Sequence, residues 1–189
     1  MDDTCKQLLI GGQKSGKSAR AEQLAAAWLH AGVGRRAVLV ATAQAWDSEM
    51  RERIRLHQVA RAQRVPGMQT VEEPLAVAEV LGRVSQPDTL VVVDCLTLWL
   101  TALTMPMSGQ PVPAGAVDTA EQGLLQALRE APGPVVMVSN EIGLGVIPMG
   151  PGVRAFVDRL GRLNQLVAGV CDRVTFMAAG LPMHLKGGV

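Results

Sequence analysis

Residues 11–18 read Gly11-Gly12-Gln13-Lys14-Ser15-Gly16-Lys17-Ser18 and match the pattern GxxxxGK[ST] of a phosphate-binding loop, or P-loop. The apolar run Leu8-Leu9-Ile10 precedes the loop and a helical pattern follows it, which is the strand-loop-helix context that the motif requires. Glycines let backbone N–H groups curl around phosphate oxygens, and the positive end of the following helix faces them. Lys17 is expected to contact the β- and γ-phosphates and Ser18 to ligate Mg²⁺. The alternative is a glycine turn that binds nothing.

Short apolar runs alternate with helical stretches along the rest of the chain. This alternation predicts an α/β fold of the P-loop NTPase type, with a mainly parallel sheet flanked by helices in a single domain over residues 1–189. Asp47 is expected to cap one helix, and Pro74 to open another. The predicted strands cover residues 7–10, 37–41, 89–93, 135–139 and 173–177, and the predicted helices 17–31, 48–62, 74–85, 95–104, 116–131 and 153–169.

Asp94 ends the apolar run Thr89–Val93, and a hydrophobic strand closing on a carboxylate is the usual second acidic element of P-loop sites. It is a candidate Mg²⁺ ligand. The structural alternative is that Asp94 caps the next helix.

The composition restricts the function classes that the chain can serve. It has 189 residues, is 48% hydrophobic and carries a formal net charge of +1, so no global field recruits nucleic acid or an anionic membrane. Three scattered cysteines indicate neither a disulfide framework nor a zinc site. The polar start lacks a secretory signal, and the longest apolar run, Leu90 to Met105, is too short to span a bilayer, so a cytoplasmic location is expected.

The segment 105–115 contains three prolines and two glycines and predicts an irregular connection, either a mobile flap or a structural filler. Filler is the simpler interpretation, since surface loops tolerate insertions.

An arginine-rich helix is predicted after Asp47. Met50, Ile54 and His57 share one face of it, so His57 is expected to point inward or into a cleft. From the residues alone, a histidine on an apolar stripe is more often a hydrogen-bonded structural residue than a catalytic one.

Several segments, taken in order, resemble the adenosylcobinamide kinase and adenosylcobinamide-phosphate guanylyltransferase family over roughly residues 7 to 186. The most particular ones are Ser139-Asn140-Glu141-Ile142-Gly143-Leu144-Gly145 and Gly161-Arg162-Leu163-Asn164-Gln165. The others are the P-loop, 41–44, 47–57, 70–74 and 94–100.

The resemblance implies a bifunctional enzyme. One activity phosphorylates the hydroxyl of adenosylcobinamide with a nucleoside triphosphate, ATP or GTP. The other transfers GMP from GTP, through a covalent GMP-histidine intermediate at the position of His57, to adenosylcobinamide phosphate. It also implies a homotrimer with active sites near subunit contacts.

The same resemblance implies further nucleotide contacts at Thr42, Ala43, Gln44, Gln58 and Arg61, with Lys17 and His57 as the catalytic residues. Guanine presents N1–H and N2–H donors, so a carboxylate is its natural reader, and Glu72 and Asp94 are both candidates that remain unranked. Loop structure alone could account for residues 42–44, and Glu72 could be a solvated acid near a helix start.

Other polar residues of the matching segments have less certain roles. Asn140 and Glu141 are expected at the carboxyl end of a strand near the site, although a purely structural turn explains them almost as well. Arg154, Arg162, Asn164 and Gln165 could face substrate or a neighbouring subunit, or could simply be polar residues of a helix surface.

Two positions depart from the family pattern. Leu56 stands where some relatives carry a second histidine, which leaves His57 as the one candidate nucleophile, and Lys14 replaces a common arginine. Two other readings stay open: a P-loop kinase for a small metabolite in which His57 is structural, and a nonenzymatic nucleotide-dependent switch.

Overall fold

The computed structural model describes residues 4–45 and 47–188, apart from the side chains of Arg53 and His57. Strands and helices alternate along the chain as far as β6, except that two helices lie between β4 and β5, and a final strand follows β6. The elements are β1 (Lys6–Gly11), α1 (Lys17–His30), β2 (Arg36–Ala41), α2 (Ser48–Arg64), β3 (Gln69–Glu72), α3 (Val77–Val84), β4 (Thr89–Asp94), α4 (Leu96–Thr104), α5 (Ala116–Glu130), β5 (Val135–Asn140), α6 (Pro151–Val170), β6 (Arg173–Ala178) and β7 (Leu181–Lys186).

All seven strands form one sheet in the order β3-β2-β4-β5-β1-β6-β7. Every pairing is parallel except that of β6 with β7, which is antiparallel. The carboxyl ends of the parallel strands therefore meet at one edge, where an open α/β sheet binds its ligands. The predicted α/β architecture is confirmed.

Alternating strand residues feed two hydrophobic clusters, one on each face of the sheet. The first contains Leu9, Val92, Val136 and Val138 and packs against α1. The second contains residues such as Val91, Val93, Val135 and Met137 and packs against α3, α4, α5 and α6. The strands are apolar on both faces because helices cover both.

The β3 and β7 strands were not predicted from the sequence. β3 contains a single apolar residue, Val71, and β7 contains Pro182 and is exposed along its whole length. Both lie at the edges of the sheet, where few apolar side chains are buried and a proline can be tolerated.

The predicted start of the third helix is wrong. α3 begins at Val77 rather than at Pro74, because the Glu73 carboxylate accepts hydrogen bonds from the backbone N–H groups of Leu75 (2.9 Å) and Ala76 (2.8 Å) and holds a turn there. By contrast, Asp47 caps α2 as predicted, with its Oδ1 accepting from Met50 N at 2.7 Å.

Cys5, Cys95 and Cys171 are buried and form no disulfide among the described residues. Burial raises the pKa of Cys95 to about 11 and that of Cys171 to about 12. No helix in residues 4–45 and 47–188 is both long enough and apolar enough to cross a membrane.

The segment 105–115 connects α4 to α5 and borders a cavity of about 300 Å³ together with Leu75 and Val117. Val112 packs against the hydrophobic cluster of that face. The segment thus contributes to the packing of that face, and its role as flap or filler stays a prediction.

Candidate nucleotide-binding site

The P-loop lies between β1 and α1, at the carboxyl edge of the sheet. Gly16 precedes α1 with φ +100°, and Lys14 also adopts a positive φ of 57°. A Cβ on Gly11 would lie 2.3 Å from the carbonyl oxygen of Met177, so only glycine fits where β1 passes β6. These constraints explain two of the glycines by backbone geometry, and they leave N–H groups at the start of α1 for an anion.

Lys17 folds back onto the loop. Its Nζ donates to the carbonyl oxygens of Gly11 (2.9 Å) and Gly12 (2.6 Å) and lies 3.4 Å from Ser15 Oγ. Burial lowers the pKa of Lys17, and electrostatic interactions with the nearby Cys95 and Asp94 side chains oppose part of that effect. The ammonium group is therefore already positioned at the centre of the loop.

The turn between β6 and β7 braces the P-loop from the other side. Gly180 N donates to Ser15 O at 3.0 Å, and Gly180 Cα lies 3.0 Å from where a Cβ on Gly16 would be. Sequence reasoning missed this support because the contact is made by backbone atoms far away in the chain.

Asp94 is the last residue of β4, and Leu96 begins the next helix. The N-cap residue of α4 is Cys95, so the alternative in which Asp94 caps that helix is not realised. Val92, two residues earlier, packs on the α1 face, and the alternation of strand side chains places Asp94 on that same face. Its carboxylate and the Ser18 hydroxyl at the start of α1 thus belong to the same face of the carboxyl edge.

A hydroxyl, a carboxylate and phosphate oxygens are the ligands that Mg²⁺ takes in nucleotide sites. Ser18 and Asp94 fit that donor set. Within the described residues, no group of three or more His, Cys, Asp or Glu side chains is arranged to hold a metal ion by itself.

The Thr42 side chain joins the ends of β2 and β4. It is fully buried, and its Oγ1 donates to Cys95 O and accepts from Cys95 N, both at 2.7 Å. The Thr42 side chain thus has a structural role at the carboxyl edge of the sheet. Nearby in the chain, Gln44 has a buried side-chain oxygen for which the described residues provide no hydrogen-bond partner. Nucleotide contacts by Thr42, Ala43 and Gln44 stay predictions.

Gln58 and Glu72 form a hydrogen-bonded pair beside the site, with Gln58 Nε2 donating to Glu72 Oε1 at 2.9 Å. Glu72 is the exposed last residue of β3, five positions before α3, so the alternative of an acid at a helix start does not describe it. The pair brings the middle of α2 to the carboxyl end of β3. The backbone of His57 is in this part of α2, while its side chain lies outside the described structure.

Two arginines tie α2 to α1 through one buried carboxylate. Glu22, on α1, lies 2.5 Å from Arg64 Nη1 and 3.8 Å from Arg61 Nε. The Arg61 Nη1 is also 3.5 Å from Thr70 Oγ1. Arg61 was predicted to contact nucleotide, and here it pairs with protein groups, so its contact with nucleotide stays a prediction.

The Asn140 and Glu141 positions lie beside the P-loop, as expected. Asn140 ends β5, in register with Gly11, and Glu141 N donates to Gly11 O at 3.0 Å. Glu141 Oε1 also accepts from Gly143 N at 2.5 Å and shapes the loop that follows.

The chain is similar to known proteins over almost its whole length. Residues 7–185 match the family described as cobinamide kinase / cobinamide phosphate guanyltransferase. The bifunctional adenosylcobalamin biosynthesis protein CobP of Pseudomonas aeruginosa is 46% identical over 182 residues, covering 96% of this chain and 98% of the relative. The bifunctional adenosylcobalamin biosynthesis protein CobU of Escherichia coli is 30% identical over 187 residues, covering 95% and 98%.

Two solved structures share the fold at low sequence identity. The flagellar accessory protein FlaH of Methanocaldococcus jannaschii aligns with a TM-score of 0.55 at 10% identity, covering 99% of this chain and 82% of its own. The KaiC-like protein PH0186 of Pyrococcus horikoshii aligns with a TM-score of 0.53 at 13% identity, covering 92% and 71%. These two show the fold alone. Since the family match and both curated relatives extend over nearly the whole chain, this protein belongs to the cobinamide kinase / cobinamide phosphate guanyltransferase family.

Proposed function

We propose that this protein phosphorylates adenosylcobinamide with a nucleoside triphosphate and then transfers GMP from GTP to adenosylcobinamide phosphate, giving adenosylcobinamide-GDP. The observation that carries the proposal is the family match over residues 7–185, which includes the P-loop, α2 with His57, and Asp94. Two relatives named as bifunctional adenosylcobalamin biosynthesis proteins support it at full length.

In the kinase step, the hydroxyl of adenosylcobinamide attacks the γ-phosphorus of the triphosphate. The new O–P bond forms as the bond to the β–γ bridging oxygen breaks, and the hydroxyl proton passes to solvent or a nearby base. Lys17 and the P-loop N–H groups stabilise the charge that develops on the transferred phosphoryl group. Mg²⁺ held by Ser18 and Asp94 would supply further charge neutralisation at the phosphates.

In the GMP-transfer step, a neutral imidazole nitrogen of His57 attacks the α-phosphorus of GTP. An N–P bond forms, pyrophosphate leaves, and the imidazole proton passes to solvent. A phosphate oxygen of adenosylcobinamide phosphate then attacks the same phosphorus, the N–P bond breaks, and His57 is restored. α2 places the His57 backbone near the end of β3, and Glu22 ties this helix to the P-loop helix.

The sheet order separates the two carboxylates that could read guanine. β4 is two strands from β1, whereas β3 is four, so at about 4.8 Å per strand Asp94 lies roughly 10 Å and Glu72 roughly 19 Å from the P-loop strand. Because the phosphates bind at the P-loop, the base lies at the far end of the nucleotide. This favours Glu72 as the guanine reader and Asp94 as the residue that serves the phosphates.

The deciding experiment incubates the protein with Mg²⁺ and GTP labelled at the α-phosphate, denatures it in alkali, and measures the label that stays on the protein. Phosphoramidates survive alkali and are cleaved by acid, so the retained label should be lost on acid treatment. His57→Ala should retain none. His30→Ala, which changes an exposed histidine at the end of α1, is the matched control and should label as the wild type does.

Label that remains on His57→Ala would place the nucleophile elsewhere. No label on wild-type protein that still phosphorylates adenosylcobinamide would favour a simple P-loop kinase. Nucleotide binding without transfer to any acceptor would favour a nucleotide-dependent switch.

A further inference from the structure

Asn140 is the last residue of the strand that lies between the strand of Asp94 and the strand that leads into the P-loop. β5 lies between β4, which ends in Asp94, and β1, which ends in the P-loop. Asn140 is in register with Gly11, whereas Asp94 is in register with Val138, so Asn140 reaches two residues further than Asp94 toward the ligand edge. Neither the family description nor the names of the relatives assigns this residue a role.

The alternation of β5 fixes the face on which the Asn140 side chain lies. Val136 and Val138 pack in the cluster that contains α1, while Val135 and Met137 pack in the opposite one. Ser139 follows Met137 and bonds to Asn164 on α6. Asn140 therefore follows Val138 onto the α1 face, where the P-loop and Lys17 lie.

A buried polar network holds the Asn140 backbone from both neighbouring helices. Asn164 is 5% exposed; its Oδ1 accepts from Ser139 Oγ at 2.6 Å, and its Nδ2 donates to Asn140 O at 3.1 Å. Asn140 N also donates to Thr97 Oγ1, on α4, at 3.0 Å. A fully satisfied network of this kind fixes a single backbone position.

Hydrogen bonds also join the P-loop to the end of β5. Gly11 O accepts from both Glu141 N, at 3.0 Å, and Lys17 Nζ, at 2.9 Å. Both backbone polar groups of Asn140 are used in the network, so its side-chain amide is the group left to act at the ligand edge. An uncharged amide can donate to a phosphate oxygen without the desolvation cost of another buried ammonium.

We infer that the Asn140 side-chain amide donates a hydrogen bond to the terminal phosphate of a bound nucleoside triphosphate, and that Asn164 is the positioning residue that holds Asn140 there. This inference rests on the proposed nucleotide site at the P-loop. It makes Asn140 a residue that distinguishes a triphosphate from a diphosphate. It also gives Asn164 a defined function, where the sequence left open contact with substrate, contact with a neighbouring subunit, or a polar position on a helix surface.

The test measures the dissociation constants of GDP and of an α,β-methylene analogue of GTP, both with Mg²⁺, by calorimetry. The analogue cannot donate GMP to His57, so binding is separated from transfer. Asn140→Ala should weaken the triphosphate analogue at least about tenfold and GDP less than about twofold, as expected for a lost hydrogen bond to a charged group. Asn140→Asp, of the same shape but anionic, should weaken the analogue more than Asn140→Ala does.

Asn164→Ala should reduce the ratio of triphosphate to diphosphate affinity in the same direction, while Gln126→Ala, on the exposed side of α5, should leave it unchanged. Ser139→Ala is a milder variant that removes a single bond of the network, and it should give a smaller shift in the same ratio. A structural role for Asn164 alone would lower the melting temperature without changing the affinity ratio.

Equal affinity ratios in wild type and Asn140→Ala would overturn this inference while leaving the proposed nucleotide site intact. Failure of the wild-type protein to bind either nucleotide would overturn the proposed function, and the Asn140 contact with it.

Discussion

Lys17 shows how a single side chain can hold a binding loop in shape before its ligand arrives. Its ammonium group donates to the carbonyl oxygens of Gly11 and Gly12. In the proposed complex, phosphate oxygens would replace these acceptors. A nucleotide would then exchange one set of oxygens for another, without first having to order the loop. The charged group remains buried in both states, at a cost in desolvation that is visible in its lowered pKa.

That lowered pKa predicts a dependence of stability on pH. The ordinary pKa of lysine is 10.5 and the folded-state value lies below it, so between the two values the unfolded chain binds more protons than the folded one. Wild-type protein without nucleotide should therefore gain free energy of unfolding relative to Lys17→Met as the pH rises toward 10.5. Urea unfolding of both proteins at a series of pH values measures the difference, and a constant difference would contradict the prediction.

Measurements of substrate preference should distinguish the role of Glu72 from that of Asp94. Inosine triphosphate lacks the 2-amino group of GTP, so it reports on a carboxylate that reads that edge of guanine. Glu72→Ala should lower kcat/KM for GTP in GMP transfer by about ten- to a hundredfold and remove the preference for GTP over inosine triphosphate. Asp94→Asn should slow both the kinase and the transfer reaction and keep the preference. The reverse pattern would exchange the two roles.

At the scale of elements, α2 is the helix whose position matters most for the proposed chemistry. It carries His57 and is joined to α1 by Glu22, whose carboxylate is nearly buried between Arg61 and Arg64. Because α1 begins at the P-loop, this ion-pair cluster links the two elements that must meet at the α-phosphate.

Removing the charge of Glu22 should loosen that link. Glu22→Gln should lower the free energy of unfolding by roughly 1–2 kcal/mol, since Arg64 is half-exposed and keeps part of its solvation. GMP transfer should fall by a larger factor than kinase activity, because only the transfer uses His57. Urea unfolding and the two separate assays measure these effects.

Glu52→Gln is the matched control. It breaks an exposed pair between Glu52 and Arg55 within α2 and should change the free energy of unfolding by less than about 0.5 kcal/mol. Equal losses of both activities would contradict the linking role of Glu22.

The elements that could be predicted from the sequence are those with a strong apolar pattern. β1, β2, β4, β5 and β6 are apolar runs between helices, and they were found for that reason. β3 and β7 were not predicted because an edge strand does not need buried side chains on both faces. Pro74 misled the prediction because the hydrogen bonds of Glu73 form a turn that the local pattern does not reveal.

The whole molecule gathers its candidate site from strand ends that are distant in the chain. The P-loop and Asp94 could be predicted because each has a local pattern, and their meeting follows from the parallel sheet. The Asn164–Ser139 bond and the Gly180–Ser15 contact could not, since they join residues 25 and 165 positions apart, and no local pattern encodes them.

The exposed apolar surface bears on the predicted homotrimer. Ile142, Leu144, Val146, Ile147 and Met149 form one exposed apolar loop, which we call the 142–149 loop, and β7 exposes Leu181, Met183 and Leu185. Surface of this kind is typical of a contact with another molecule. Light scattering should give a mass about three times the 20.0 kDa of the chain.

The double variant Met183→Lys with Leu185→Lys tests whether β7 contributes to that assembly. It should dissociate the trimer without lowering the melting temperature of the subunit by more than a few degrees, because both side chains are exposed. Val33→Lys is the control on an exposed residue far from both surfaces in sequence. A monomeric wild-type protein would contradict the predicted trimer itself, and an intact trimer in the double variant would place the contact elsewhere.

The support of the P-loop by β6 and the β6–β7 turn is made of main-chain atoms: Gly180 N bonds to Ser15 O, and a Cβ on Gly11 would lie 2.3 Å from Met177 O. In a library of single substitutions, the glycines of this support should therefore tolerate few replacements, whereas the residues around them should accept many side chains. Family members could then differ freely in the amino-acid sequence of this turn while keeping the same main-chain support of the P-loop. Conservation scores averaged over the turn would underrate its importance, and only profiles resolved position by position would reveal it.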